Sequence, residues 1–423
     1  MQNFWQKFIT ALKDPILRKR IGFTIGALVV FRALAAIPIP GVDVANLSKL
    51  LGSSQFFGFL NIFSGGGLSN LSIVMLGVGP FITASIIIQL LTMMFPKWKA
   101  LMHEEGQAGR QKLSNYSRLI SVPLALVQAV GFIVLLENQN VLPHLGTTSL
   151  LINALVVSAG SILLMWLGEL ISEFGIGNGV SLVIFAGIIS RLPKSTIQFL
   201  STFDASQITV YIAVLVIAIV VIAGVVFVTE AERSVPVTYA KQVRGNKVYG
   251  GVSTYLPLRL NQAGVIPIIF ALSILLFPQI IANFLSHASN ALVASYASSF
   301  AIFFNNPWVY GGFYFLLVVL FTYFYTAVTF DPSMISENLQ QSGAFIPGVR
   351  PGEHTRDYLA AIVTRITLVG ALFLGIVAVL PLALQNFTGG TTLAIGGTSL
   401  LIVVSVVLDL LKKIDAQVSM REY

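Results

Sequence analysis

The chain has 423 residues, of which 56% are hydrophobic and only 10% charged, and its mean hydropathy is +0.85. That balance excludes an ordinary soluble domain and describes an integral membrane protein. The net charge of +8 is not by itself a sign of nucleic-acid binding and makes anionic membrane lipid the default partner, and the lack of any cysteine excludes disulfides, thiol catalysis and thiolate metal sites.

A helix needs roughly 20 residues to cross the hydrocarbon core. Apolar runs that meet this lie near 22–40, 71–95, 119–136, 150–170, 209–229, 264–285, 309–330, 359–382 and 393–411, with a shorter, glycine-started run near 176–193. The pattern predicts an all-α protein with ten transmembrane helices. A long basic segment precedes the first run and Arg32 interrupts it, so no cleavable signal peptide is expected despite the small residues from Ala33 to Ala36. Between the first two runs, NIFSGGGLSN places three glycines at the mouth of a span. Irregular backbone at membrane depth requires surrounding protein or a water-filled cavity; a flexible exterior loop is the other reading.

Alternate connections are basic. Lys7, Lys13, Arg18, Lys19 and Arg20 precede the first span, Lys97, Lys99, Arg110, Lys112 and Arg118 follow the second, and Lys241, Arg244, Lys247 and Arg259 follow the sixth. The opposite connections carry only Lys49, Arg191 and Lys194, so both termini are expected in the cytoplasm. The loop 331–358 sets Arg350 and Arg356 against Asp331, Glu337, Glu353 and Asp357; its placement follows from the span count alone. Five spans fall in residues 1–205 and five in 206–423, and an odd number would insert a duplicated unit upside down relative to its twin. Two connections, about 230–262 and 331–358, are long enough to be functional. In the first, Gly245-Asn246 suits the turn of a basic hairpin. In the second, Pro347-Gly348 and Pro351-Gly352 hold Arg350 on a stiffened tip.

Catalytic and coupling chemistry finds little support. His103, His144, His287 and His354 are scattered over connecting loops without metal-ligand spacing, so no metal site is expected. Asp409 stands alone near the end of the last span, and neither Ser85 nor Ser161 has a histidine at its depth. GIGNG at 175–179 lacks the strand and spacing of a dinucleotide fingerprint and reads as a helix start or gating element, while GGG at 65–67 lacks the lysine of a phosphate loop. An ion-coupled transporter needs titratable groups at the midplane, yet only Arg32 falls deep, with Glu169, Arg365 and Asp409 nearer the ends. Burying that charge costs about 2.5–3.5 kcal/mol on the insertion scale, so snorkelling or pairing within the bundle is expected. Branched residues recur at helical spacing: Val78, Ile82 and Ile86, then Val180 with Ile184, and Ile266 with Ile269. Thr83, Gln89, Asn178, Asn261 and Gln262 sit among them, and either helix packing or a pore fits that pattern.

FRALAAIPIPGVD, NIFSGGGLSN, GPFITASIIIQLL, MWLGELISEFGIGNGVSLVIFAGI, NQAGVIPIIFA, SGAFIPGVRPGEHT and GGTSLLIVVSVVLD together closely resemble the SecY family, the central channel subunit of the bacterial protein translocase. The strings occur in the family's order over nearly the whole chain. The resemblance implies two inverted five-helix halves around an hourglass pore, and a passive conduit for unfolded preproteins rather than an enzyme. It implies a plug at about 60–72, including Phe63, Ser64, Gly65, Gly66, Gly67, Leu68, Ser69 and Asn70. Val78, Ile82, Val180, Ile184, Ile269 and Ile402 match the apolar pore ring, and Thr83, Asn178 and Phe277 match the seam of a lateral gate through which apolar segments reach lipid. Lys241, Arg244, Lys247 and Arg350 match the surface that docks the SecA ATPase or the ribosome, although Gln242, Val243 and Asn246 dilute the charge at the first tip. The implied partners are SecE, SecG, SecA, the ribosome and preprotein signal sequences, with SecDF and YidC as further candidates. Ribosomal RNA would be met only through a docked ribosome. No cofactor is implied, and the implied location is the cytoplasmic membrane.

Overall fold

The computed structural model describes residues 14–40, 64, 66–95, 97–98, 101, 106–138, 142–143, 146–190, 193, 197, 201, 208–240, 242–244, 247–249, 253–285, 291–388 and 396–419. Its helices run, in chain order, α1 (Pro15–Ala35), α2 (Gly79–Met94), α3 (Gly106–Asn138), α4 (Thr147–Phe174), α5 (Gly179–Ile189), α6 (Ile208–Glu230), α7 (Ile266–Leu285), α8 (Ala291–Asn305), α9 (Pro307–Thr329), α10 (Pro332–Gln341), α11 (Glu353–Thr388) and α12 (Gly396–Ser419). The strands are β1 (Glu232–Tyr239), β2 (Gln242–Arg244), β3 (Lys247–Tyr249), β4 (Ser253–Arg259) and β5 (Ala344–Phe345).

α1 to α7, α9, α11 and α12 occupy the ten positions where the sequence predicts spans. Among the described residues, 106–137, 147–174, 211–230, 307–341 and 353–383 are each long and apolar enough to cross a membrane unaided. α2 starts at Gly79 rather than Leu71 because residues 73–78 fold into consecutive turns, with Pro80 setting the first helical turn. Local caps fix other starts. Asp14 accepts from the Ile16 amide at 2.9 Å before Pro15, and Asn306 accepts from the Trp308 amide at 3.0 Å before Pro307.

α8 and α10 are additions to the sequence reading. α8 is broken by serines and too short to stand out as a span. α10 lies inside the second long connection, and its start was written in Asp331-Pro332: the Asp331 carboxylate accepts from the amides of Ser333 at 2.9 Å and Met334 at 3.4 Å.

Among the first five helices α3 packs on α2 and α4, α4 on α5, and α1 on α4; among the later ones α9 packs on α11, α7 on α8 and α9, and α6 on α12. The groups meet where α7 lies against α2 and α3, and where α12 lies against α5.

Outside the helices, β1 pairs antiparallel with β4 from Glu232 opposite Arg259 to Thr238 opposite Ser253, and β5 adds to the other edge of β1. The two long connections are thus one structural unit. They share a core of Val235, Val237 and Leu258 from the sheet, Ala344 and Ile346 from the second connection, and Leu359, Ile362 and Val363 of α11. β2 and β3 pair antiparallel, with Arg244 opposite Lys247.

Candidate functional site

Four segments distant in sequence contribute to one hydrophobic cluster of the helix bundle. Val78 caps the start of α2 and Ile82 follows one turn later; Ile184 comes from α5, Ile269 from α7 and Ile402 from α12. All five are buried within one hydrophobic cluster, with Ile266 and Val180 packed against it. Each is a branched hydrocarbon side chain that makes no directional bond, so the cluster excludes water without fixing a partner. Spacing alone left pore and packing unresolved; all three stripes belong to this one cluster.

Two tight corners precede α5 and α2. The GIGNG string is the joint between α4 and α5: the Asn178 side chain accepts from the Ser181 amide at 3.2 Å as the α5 cap, and the Gly179 amide donates to the Ser172 hydroxyl at 2.8 Å. A methyl group on Gly179 would strike the Gly168 carbonyl, so only glycine permits this approach. The helix-start reading of that string holds.

The second corner is the glycine segment. Leu68–Asn70 forms a single 3₁₀ turn, and Leu68, Leu71 and Met75 are fully buried. They pack against Ala129, Phe132, Ile133 and Leu136 of α3 and Ala154 and Val157 of α4, a cluster separate from the central one. The backbone is moored by a short bridge to the end of α1: the Ile39 amide donates to the Leu71 carbonyl at 2.8 Å, and the Ile73 amide to the Ile37 carbonyl at 3.0 Å. Ser64 accepts from the Leu68 amide at 3.0 Å, and Ser161 of α4 donates to the Gly77 carbonyl at 2.6 Å. Leu71 adopts φ 42°, a left-handed conformation costly for a leucine. A segment so held is a docked element, and the flexible exterior loop is set aside for these residues.

The remaining sequence-derived residues fall as follows. The Thr83 hydroxyl donates to the Gly79 carbonyl of its own helix at 3.1 Å, so Thr83 and Asn178 satisfy local backbone rather than bridge helices. Arg350 is exposed at the tip between β5 and α11, where its carbonyl accepts from the Thr355 hydroxyl at 2.9 Å and Gly348 and Gly352 both take positive φ. Phe63, Gly65 and Lys241 lie outside the described residues, as do the side chains of Ser69, Arg244, Lys247 and Phe277. Arg32 sits in the last turn of α1, exposed on the bundle surface, rather than midway along a buried helix. Asp409 is not alone: it pairs with Lys413 one turn on at 2.8 Å. Glu230 at the end of α6 pairs with Lys412 of α12 at 2.8 Å, and Arg118 of α3 with Glu169 of α4. Sequence reasoning missed these two interhelical pairs because nothing in a single helix reveals which charge faces which neighbour. Among the described residues no cluster of histidine and carboxylate side chains could hold a metal ion.

The family model for SecY matches residues 72–411. The protein translocase subunit SecY of Mycobacterium bovis is 42% identical over 98% of both chains. Among solved structures, a protein-conducting channel superposes with a TM-score of 0.66 at 21% identity, covering 96% of this chain and 93% of that one. A SecY protein whose plug domain stabilises the closed state of the translocation channel and maintains a membrane seal gives 0.65 at 19% identity with the same coverage. Canine Sec61 in a ribosome–channel complex from the endoplasmic reticulum gives 0.62 at 19% identity, again covering 96% and 93%. The bundle is the SecY/Sec61 channel fold, and the chain belongs to the SecY family.

Proposed function

We propose that this chain is the central subunit of a protein-conducting channel, that the cluster of Val78, Ile82, Val180, Ile184, Ile269 and Ile402 is its constriction, and that residues 60–72 are its plug. The observation that carries the reading is that branched aliphatic residues from four remote segments lie in one continuous hydrophobic cluster. Such a ring sheds water and ions, yet deforms around an extended polypeptide because it offers that chain no fixed bonds. The halves 1–205 and 206–423 divide between α5 and α6. A lateral gate opens where α2 meets α7, with Thr83, Asn178 and Phe277 along it; because the first two satisfy their own backbones, the seam parts without stranding a polar group.

Both termini and the sheet formed by the long connections face the cytoplasm of the plasma membrane. The basic hairpin with Lys241, Arg244 and Lys247 and the tip with Arg350 form the docking surface for the ribosome, as befits the kinship with ribosome-bound Sec61, and for the SecA ATPase. SecE and SecG complete the complex, and signal sequences enter it. The absence of native cysteine allows a direct test. A cysteine at Ile82 should form a disulfide with a single cysteine in a stalled translocating chain, whereas one at lipid-facing Ile219 should not. Equal crosslinking at both positions, or none at Ile82, would overturn the pore assignment.

A further inference from the structure

From Leu260 to Phe330 the chain holds no lysine, arginine, aspartate or glutamate. α7 and α9 account for two spans in that stretch, and α8 (Ala291–Asn305) lies between them, too short to cross a hydrocarbon core that takes roughly 20 helical residues. Because α7 leads away from β4 and α9 returns toward β5, α8 stands at the end of the bundle opposite the sheet.

Helical spacing gives α8 three sides. Ala297 and Phe304 are buried where α8 packs on α7 and α9. Leu292, Val293, Tyr296, Phe300 and Phe303 share a second side and are all exposed, Tyr296 at 77%. Ser295, Ser298 and Ser299 take the third, with Ile302 at its end, and the Ser298 hydroxyl donates to the Ser295 carbonyl at 2.9 Å. The apolar side runs on into α9. The Phe304 ring lies 4.6 Å from that of Phe300 and 5.3 Å from that of Phe313, and beyond exposed Phe313 the exposed Leu316 and Leu320 continue along a helix long and apolar enough to span a membrane. Trp308 stands exposed at the corner between the two helices, a residue type that favours the membrane–water interface.

We propose that α8 lies in the membrane interface, with its Leu292, Tyr296 and Phe303 side sunk among the acyl chains of the leaflet opposite the sheet and its serine side turned to water. A helix with one apolar and one polar flank buries the first about 5–10 Å deep. Lipid suits this face better than a protein partner, because the face is continuous with the lipid-facing side of a span and carries no charge that would orient a partner. For the same reason the contact is with hydrocarbon, without selection for headgroup charge. Held at that depth, α8 fixes the level of the adjoining ends of α7 and α9.

The test uses the full-length protein in phosphatidylcholine vesicles, with a bimane fluorophore on the single substitutions Tyr296→Cys, Phe303→Cys or Ser295→Cys in a chain that has no other cysteine. Phosphatidylcholine brominated along its acyl chains should quench the first two about threefold more than the third, and aqueous iodide should quench in the reverse order. Adding phosphatidylglycerol should leave both orders unchanged. Leu292→Cys, at another exposed position of the same side, replaces either aromatic variant whose melting point falls below the parent's. Equal quenching at all positions, or iodide reaching the aromatic sites as freely as Ser295→Cys, overturns the proposal. Quenching by brominated lipid that requires phosphatidylglycerol overturns it too. Shielding of the aromatic sites in native membranes but not in vesicles of the protein and phosphatidylcholine alone would assign the face to a protein partner and overturn it equally.

Discussion

Single atoms decide how closely the central helices approach. A methyl group on Gly160 of α4 would strike the Ile73 carbonyl of the turn segment, whereas one on Gly22 of α1 would meet nothing within 4 Å. Gly160→Ala should therefore destabilise the protein by about 1–3 kcal/mol. Gly22→Ala should stabilise it by about 0.5–1 kcal/mol through its gain in helix propensity. Thermal melting of the two variants in detergent checks the contrast, and equal shifts would contradict the packing described. Much at this scale was legible: the helix start at the GIGNG string and the aliphatic stripes followed from residue type and spacing. The pairing of Glu230 with Lys412 and the left-handed Leu71 were not, because both depend on neighbours far along the chain.

Elements that obey one strong periodicity were read well, and those that do not were missed. The ten spans followed from apolar length, but α8 and α10 fell below that threshold although Asp331-Pro332 announces the second. The hairpin of β2 and β3 was foreseen from Gly245-Asn246, whereas the joining of β1 to β5 was not, since a two-residue strand leaves no pattern. The glycine segment behaves as an element in its own right. Deleting Gly65 to Asn70 removes the 3₁₀ turn and its buried Leu68, so ion conductance of the reconstituted channel in planar bilayers should rise while preproteins still pass. An unaltered baseline would count against a plug at this position. At the opposite end, Arg350→Glu reverses the charge on a tip stiffened by Thr355 and should abolish most SecA-driven translocation with membrane insertion intact. Normal transport would remove Arg350 from the docking surface.

At the scale of the whole molecule the two long connections answer to one core. Leu258→Ala would leave a cavity beneath β1 and β4 costing about 2–5 kcal/mol. Because Ala344, Ile346 and Leu359 share that core, limited proteolysis should become faster within 344–350 as well as within 232–259; cleavage confined to the first connection would show that they move apart. The convergence of Val78, Ile82, Ile184, Ile269 and Ile402 has a further meaning for how the molecule comes into being. A ribosome makes α2 long before α12, so the helix that donates Ile402 arrives last, and contacts between such remote residues form late. Until then the nascent bundle lacks one wall of its own centre. Biosynthesis thus sets a natural order in which insertion of the final helix completes the central hydrophobic cluster.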